Sequence, residues 1–161
     1  MCYIAAKALA SDKYAVYLQL DPGNGKTFVN LLICYHLSQI QHKPAIYITL
    51  NRSLQRAVRD KMKLIGITGF EVIDEANLFE HIGTEVRFVY DEYYAGLISA
   101  KLDSEQTGVI NPIFLLGHKF PIIMSTGHNS DEMKTFLLRF FGQANLDLQI
   151  HRSIVGLAGE Q

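Results

Sequence analysis

Residues 14–20, Tyr-Ala-Val-Tyr-Leu-Gln-Leu, run directly into Asp21-Pro22-Gly23-Asn24-Gly25-Lys26-Thr27, and no other junction constrains the fold as tightly. A nearly unbroken apolar run of strand length suits a strand covered on both faces. A Pro/Gly turn ends it, and a helical pattern follows from Lys26 to about Gln39, with Val29, Leu32, Ile33 and Leu37 roughly on one face. The turn fits the phosphate-binding pattern G-x-x-x-x-G-K-[ST] except at its first position, where Leu20 replaces glycine. Glycines let the backbone curl so that successive N–H groups point at phosphate oxygens. The helix N-terminus adds its positive end. Lys26 can then reach the β- and γ-phosphates, and the Thr27 hydroxyl can ligate Mg²⁺. Pro22, Gly23, Asn24, Gly25, Lys26, Thr27 and Phe28 are therefore the candidate nucleotide contacts. The plainer alternative is a tight strand–helix turn with an exposed lysine.

The rest of the chain repeats the alternation. Strands are predicted at 45–50, 70–73, 86–90, 121–124 and 146–150. Helices are predicted at 2–11, 52–64, 75–82 and 131–141, with another after Asp91-Glu92. This predicts a three-layer α/β fold with a mostly parallel sheet. A length of 161 residues allows one domain, 1–161, and 48% hydrophobic content lets it bury a full core. A formal charge of −1 removes bulk electrostatics as an argument for nucleic-acid binding, so only a local basic patch would serve.

A phosphate-loop ATPase also needs an acid at the end of a neighbouring strand to hold Mg²⁺. Two pairs qualify: Asp74-Glu75 after 70–73, and Asp91-Glu92 after 86–90. The second follows the longer strand. The first reads as a helix start, where acids are favoured for capping alone. Asp91 is thus the favoured Mg²⁺ acid, with Asp74 the alternative, and Glu92 is the candidate base orienting the attacking water. Ser125 and Thr126 close another strand and are placed to sense a γ-phosphate, as is Asn129. A turn capping the helix from Asp131 explains them equally well.

Arg52, Arg56, Arg59 and Lys63 recur at spacings of 4, 3 and 4, on one helical face opposite Leu54, Val58, Met62 and Ile65. Such a stripe can contact phosphates, with Arg52 and Arg56 the candidate nucleic-acid residues. The bland alternative is a solvated face. Tyr93 and Tyr94 read as packing residues. The six histidines show no zinc-ligand spacing. Cys2 and Cys34 are in no C-x-x-C and read as reduced thiols. With no signal-peptide pattern and no run near the ~20 apolar residues of a membrane span, an intracellular compartment, cytoplasmic or nuclear, is expected.

In this order the pieces resemble the first RecA-like ATPase domain of superfamily 1 and 2 helicases. Asp21 to Thr27 resembles motif I (Walker A), and Ile48-Thr49-Leu50-Asn51-Arg52-Ser53-Leu54 resembles motif Ia, which touches the nucleic-acid backbone in that family. Asp91-Glu92-Tyr93-Tyr94 stands where the DExx box would, and Ser125-Thr126-Gly127 where motif III would. The resemblance implies ATP and Mg²⁺ as ligands, RNA or DNA as a partner, and hydrolysis of ATP coupled to nucleic acid. It also implies a missing second RecA-like domain, which supplies an arginine finger in the family, so this chain reads as a half-site, weak in isolation. His128 would replace the aspartate of a superfamily 1 motif III. Two alternatives stay open: another phosphate-loop ATPase, such as the AAA type, or a non-catalytic nucleotide-binding interaction module.

Overall fold

The computed structural model describes residues 2–20, 25–81, 86–109, 111–126 and 131–151. Six strands form one parallel sheet: β1 (Ala15–Leu20), β2 (Ala45–Thr49), β3 (Glu71–Asp74), β4 (Arg87–Asp91), β5 (Ile122–Thr126) and β6 (Leu146–His151). Their spatial order is β3-β2-β4-β5-β1-β6. The helices are α1 (Tyr3–Leu9), α2 (Lys26–Tyr35), α3 (Arg52–Ile65), α4 (Tyr93–Thr107) and α5 (Asp131–Phe141). Residues Glu75–His81 and Pro112–Leu115 form 3-10 turns, and His36–Ile40 widens the end of α2 into a π turn.

All six residues of β1 and all five of β2 are buried. Alternate side chains then feed two cores. Tyr17, Ile46, Ile48, Phe88 and Tyr90 pack with Leu97 of α4 and Leu137 of α5 on one face. Val16, Leu18, Tyr47 and Val89 pack with Ala5, Ile33 and Val58 of α1, α2 and α3 on the other. These are the three predicted layers, a sheet between two helical sheets of side chains.

Two local expectations need correction. The apolar face of α2 is wider than predicted, because Asn30, Leu31 and Cys34 are also buried while Leu32 is only half-buried. Its helix lies under the middle of the sheet and is covered on more than one side. In α3 the buried stripe is Gln55, Val58 and Met62. Leu54 and Ile65 are exposed, because α3 covers β2 and the sheet-edge strand β3, with no further described strand beyond it.

β5 enters the sheet through a turn that requires glycine. Gly117 has φ +82°, and an added Cβ would meet the buried Phe141 ring at 2.2 Å. Its N–H donates to the carbonyl of Phe120, which closes the turn just before β5. Gly117→Ala is expected to destabilise the fold by about 2–4 kcal/mol, from left-handed backbone strain and overpacking together. A urea midpoint unchanged from wild type would refute this.

Candidate nucleotide site at the carboxyl end of the sheet

A parallel sheet gathers the carboxyl ends of its strands on one side, and ligands of open α/β sheets bind there. Here β5 lies between β1 and β4, and the register puts Asp91 beside Ser125 and Ser125 beside Leu18. The end of β4 is therefore two strand spacings from β1, about 10 Å. The end of β3, carrying Asp74, is four spacings away, about 19 Å.

Lys26 spans the shorter gap. Gly25 caps α2 in the left-handed region, φ 70°, and Lys26 is the first helical residue. Among the described residues an added Cβ at Gly25 would meet only the Phe28 Cβ at 3.8 Å, and the left-handed backbone is what favours glycine there. The Lys26 Nζ lies 3.0 Å from Asp91 Oδ1 and also donates to Glu92 Oε1. Burial disfavours its charge, but the two carboxylates outweigh that and hold its pKa above the ordinary lysine value.

Glu92 is held in a costly conformation. It occupies the left-handed region at φ 62°, ψ 47° as the N-cap of α4, where a residue with a Cβ is strained. Three bonds fix it. Its N–H donates to Ser125 O at 2.9 Å, its carbonyl accepts from the Gly96 N–H, and Thr126 Oγ1 donates to its Oε2 at 3.1 Å. Ser125 and Thr126 are the last two residues of β5, both buried, and the segment from 127 to 130 that would form a capping turn lies outside the described residues.

Two further residues of the cluster escape a reading by motif. Tyr47, in the middle of β2, donates its hydroxyl to Asp91 Oδ2 at 3.2 Å. Asn30, one turn beyond Lys26 on α2, donates to Ser125 Oγ at 2.9 Å and to the Tyr47 hydroxyl at 3.4 Å. Burial, and then the Asp91 charge, push the Tyr47 pKa well up, so it stays a neutral donor. The available signal for Asn30 was a lone amide inside an apolar helix, four residues from the motif lysine.

Of the remaining candidates, Thr27 is half-buried and Phe28 exposed at the start of α2. Pro22, Gly23, Asn24, Asp21, Gly127, His128 and Asn129 lie outside the described residues. Asp74 is not brought to Lys26. Its neighbour Glu75 instead accepts from Tyr90 Oη at 3.0 Å and Asn111 Nδ2 at 3.3 Å. Burial raises the Glu75 pKa against the pull of those two bonds. Arg52 and Arg56 are exposed on α3, but Arg59 donates to Val72 O at 2.9 Å and so caps the sheet edge rather than extending a free stripe. Tyr93 is buried with its hydroxyl on Ile113 O, and Tyr94 packs edge-on against Phe136, as packing residues. Cys34 is fully buried, and burial pushes its thiol pKa far up. No described helix is long and apolar enough to cross a membrane.

Comparison with solved structures matches this architecture. The ATPase domain of the Thermus phage P74-26 large terminase superposes with a TM-score of 0.58 at 9% identity, over 99% of this chain and 84% of that one. A hypothetical ATP-dependent RNA helicase from Sulfolobus tokodaii gives 0.57 at 15% identity, over 96% of this chain and 53% of that one. The fold is RecA-like. The Pyrococcus furiosus Hef helicase domain shares it at a TM-score of 0.51 and 14% identity, over 92% of this chain and 37% of that one. No protein-family model and no curated protein sequence matches the chain. At these identities the likeness establishes the RecA-like fold, while the chemistry has to be argued from the residues.

The ion-pair geometry gives a stability test. Lys26→Met keeps the methylenes but removes the ammonium that Asp91 and Glu92 share, at an expected cost of about 1–3 kcal/mol near pH 7. The folded-state pKa of Lys26 is raised from 10.5. Its contribution is therefore complete below pH about 10.5 and is lost as pH climbs through the higher folded-state value. Urea unfolding of both proteins should show the gap narrowing in that alkaline window. A gap that does not change across it would refute the assignment.

Proposed function

We propose that this chain is a Mg²⁺-dependent, ATP-binding domain of helicase type that hydrolyses ATP slowly by itself. One observation carries the reading: Lys26, at the start of the helix after β1, meets Asp91 and Glu92 at the end of β4 across the intervening β5. A turn that merely joined a strand to a helix would have no need of a cation, a strained glutamate and a paired acid at one spot.

In this proposal Lys26 leaves the carboxylates for the β- and γ-phosphates, and backbone N–H groups of Gly23, Asn24 and Gly25, in the loop whose turn Pro22 helps set, would surround them. Thr27 and Asp91 would hold Mg²⁺. The donor set fits: a hydroxyl and a carboxylate are hard oxygen ligands, and Mg²⁺ takes one or two carboxylates plus substrate phosphates rather than a protein cage. Bound there, Mg²⁺ would neutralise charge on the phosphates. Glu92 would orient a water as general base, and Thr126, already on its Oε2, would report whether a γ-phosphate is present. The full rate would need an arginine from a second RecA-like domain, in cis or in trans. Coupling to RNA or DNA would run through Arg52 and Arg56 at the start of α3, near the same end of the sheet.

Calorimetry should detect Mg·ATP binding by the wild-type chain and at least a tenfold loss in Lys26→Ala, about the value of one charge-assisted bond. Glu92→Gln should keep binding within about threefold while lowering slow hydrolysis by about 10²–10⁴-fold. Equal binding by wild type and Lys26→Ala would refute the phosphate-loop reading. For nucleic acid, Arg52→Ala and Arg56→Ala should each reduce the salt slope of binding by about 1. Slopes identical to wild type would remove α3 from the interface.

A further inference from the structure

Asp91 is gripped at both carboxylate oxygens, and the two holders differ in kind. Lys26 Nζ sits 3.0 Å from Oδ1, and the lysine side chain is 23% exposed beside the phosphate loop. The Tyr47 hydroxyl sits 3.2 Å from Oδ2, and Tyr47 is fully buried in β2 among the apolar side chains of α2 and α3. One holder is free to turn toward a phosphate. The other is fixed by packing.

Tyr47 is itself aligned. Asn30, fully buried on α2, commits both Nδ2 hydrogens within the cluster, one to the Tyr47 hydroxyl and one to Ser125 Oγ. The tyrosine hydroxyl therefore accepts from Asn30 and has its own hydrogen left for Asp91. This neutral chain ties α2, β2 and β5 to the acid at the end of β4. Packing alone would be served as well by phenylalanine and leucine, without polar groups to satisfy in an apolar layer.

We infer that Tyr47, aligned by Asn30, is the positioning residue for the Asp91 carboxylate, holding Oδ2 and leaving Oδ1 to face Mg²⁺ when Lys26 turns to a phosphate. The inference rests on the nucleotide reading above. Hydrogen-bonded partners of ligating carboxylates set their orientation, and losing one costs about 10–100-fold in metal affinity.

The experiment is Tyr47→Phe, which keeps the ring and removes only the hydroxyl. ATP affinity is measured by calorimetry in Mg²⁺ and in EDTA, and the Mg²⁺ midpoint is titrated at fixed ATP. The expected result is an affinity about tenfold weaker in Mg²⁺, unchanged within about twofold in EDTA, with the Mg²⁺ midpoint raised by about the same tenfold. Ser125→Ala loosens Asn30 without removing either side-chain contact of the Asp91 carboxylate, and should move the midpoint the same way by a smaller factor; it carries the test if Tyr47→Phe does not fold. Equal losses with and without Mg²⁺ would mark a packing role and overturn the inference. So would an unmoved midpoint in a protein where Lys26→Ala still loses ATP, and that outcome would leave the nucleotide reading standing. Failure of the wild-type chain to bind ATP under either condition would overturn both.

Discussion

A single ammonium group between two carboxylates organises the functional end of this molecule. Asp91 and Glu92 are consecutive, so two negative charges stand side by side at a strand end that is only partly open to water. Without a cation nearby, the two carboxylates would repel each other. Lys26 provides the cation, and it can do so only because β5 is inserted between β1 and β4 and brings the two strand ends to the right separation. The same insertion gives Glu92 its backbone partner on Ser125 and its side-chain partner on Thr126. Sheet order, the strained glutamate and the ion pair are therefore one arrangement seen at three scales.

That arrangement is suited to exchange. An ammonium already stripped of part of its water and held near carboxylates needs little reorganisation to meet a phosphate instead. Under the nucleotide proposal, what has to remain in place is the acid, Asp91. Its second oxygen is held by a buried tyrosine rather than by another mobile charge, so departure of the lysine would not release it. Fixed and movable contacts on one carboxylate are a way to keep geometry while the charge partner changes.

The sequence made some of this legible and hid the rest for identifiable reasons. β1, β2 and β4 were readable because burial on both faces leaves an apolar run with few interruptions. The preference for Asp91 over Asp74 comes from strand length and capping alone; the distance from β1 that separates the two depends on strand order, which leaves no mark on adjacent residues. Tyr47 was hidden because tyrosine also belongs in a buried strand, and only the position of its hydroxyl separates packing from support. Arg59 fitted a charged helical stripe by spacing, yet a long side chain can lie back over its helix and bond an edge carbonyl. Leu54 and Ile65 fitted the opposite, apolar stripe, but α3 sits at the sheet margin and has too little sheet beneath it to bury them.

A RecA-like sheet does not by itself require a working site, since folds are shared by many activities. The stronger argument lies in what the site costs. A left-handed glutamate, a buried amide and a buried tyrosine hydroxyl each work against stability, by about 1–3 kcal/mol where strained or left unpaired. Here the three lie within one hydrogen-bonded cluster, with a pair of like charges, around the carboxyl ends of β1, β4 and β5. Local rules are broken together where chemistry needs them broken, and kept elsewhere in the chain. A sheet whose only task was to hold its helices would be more stable with valine, leucine and glycine in those places. The concentration of these costs at the strand ends, facing Lys26, is what makes ligand chemistry a better account of the cluster than packing.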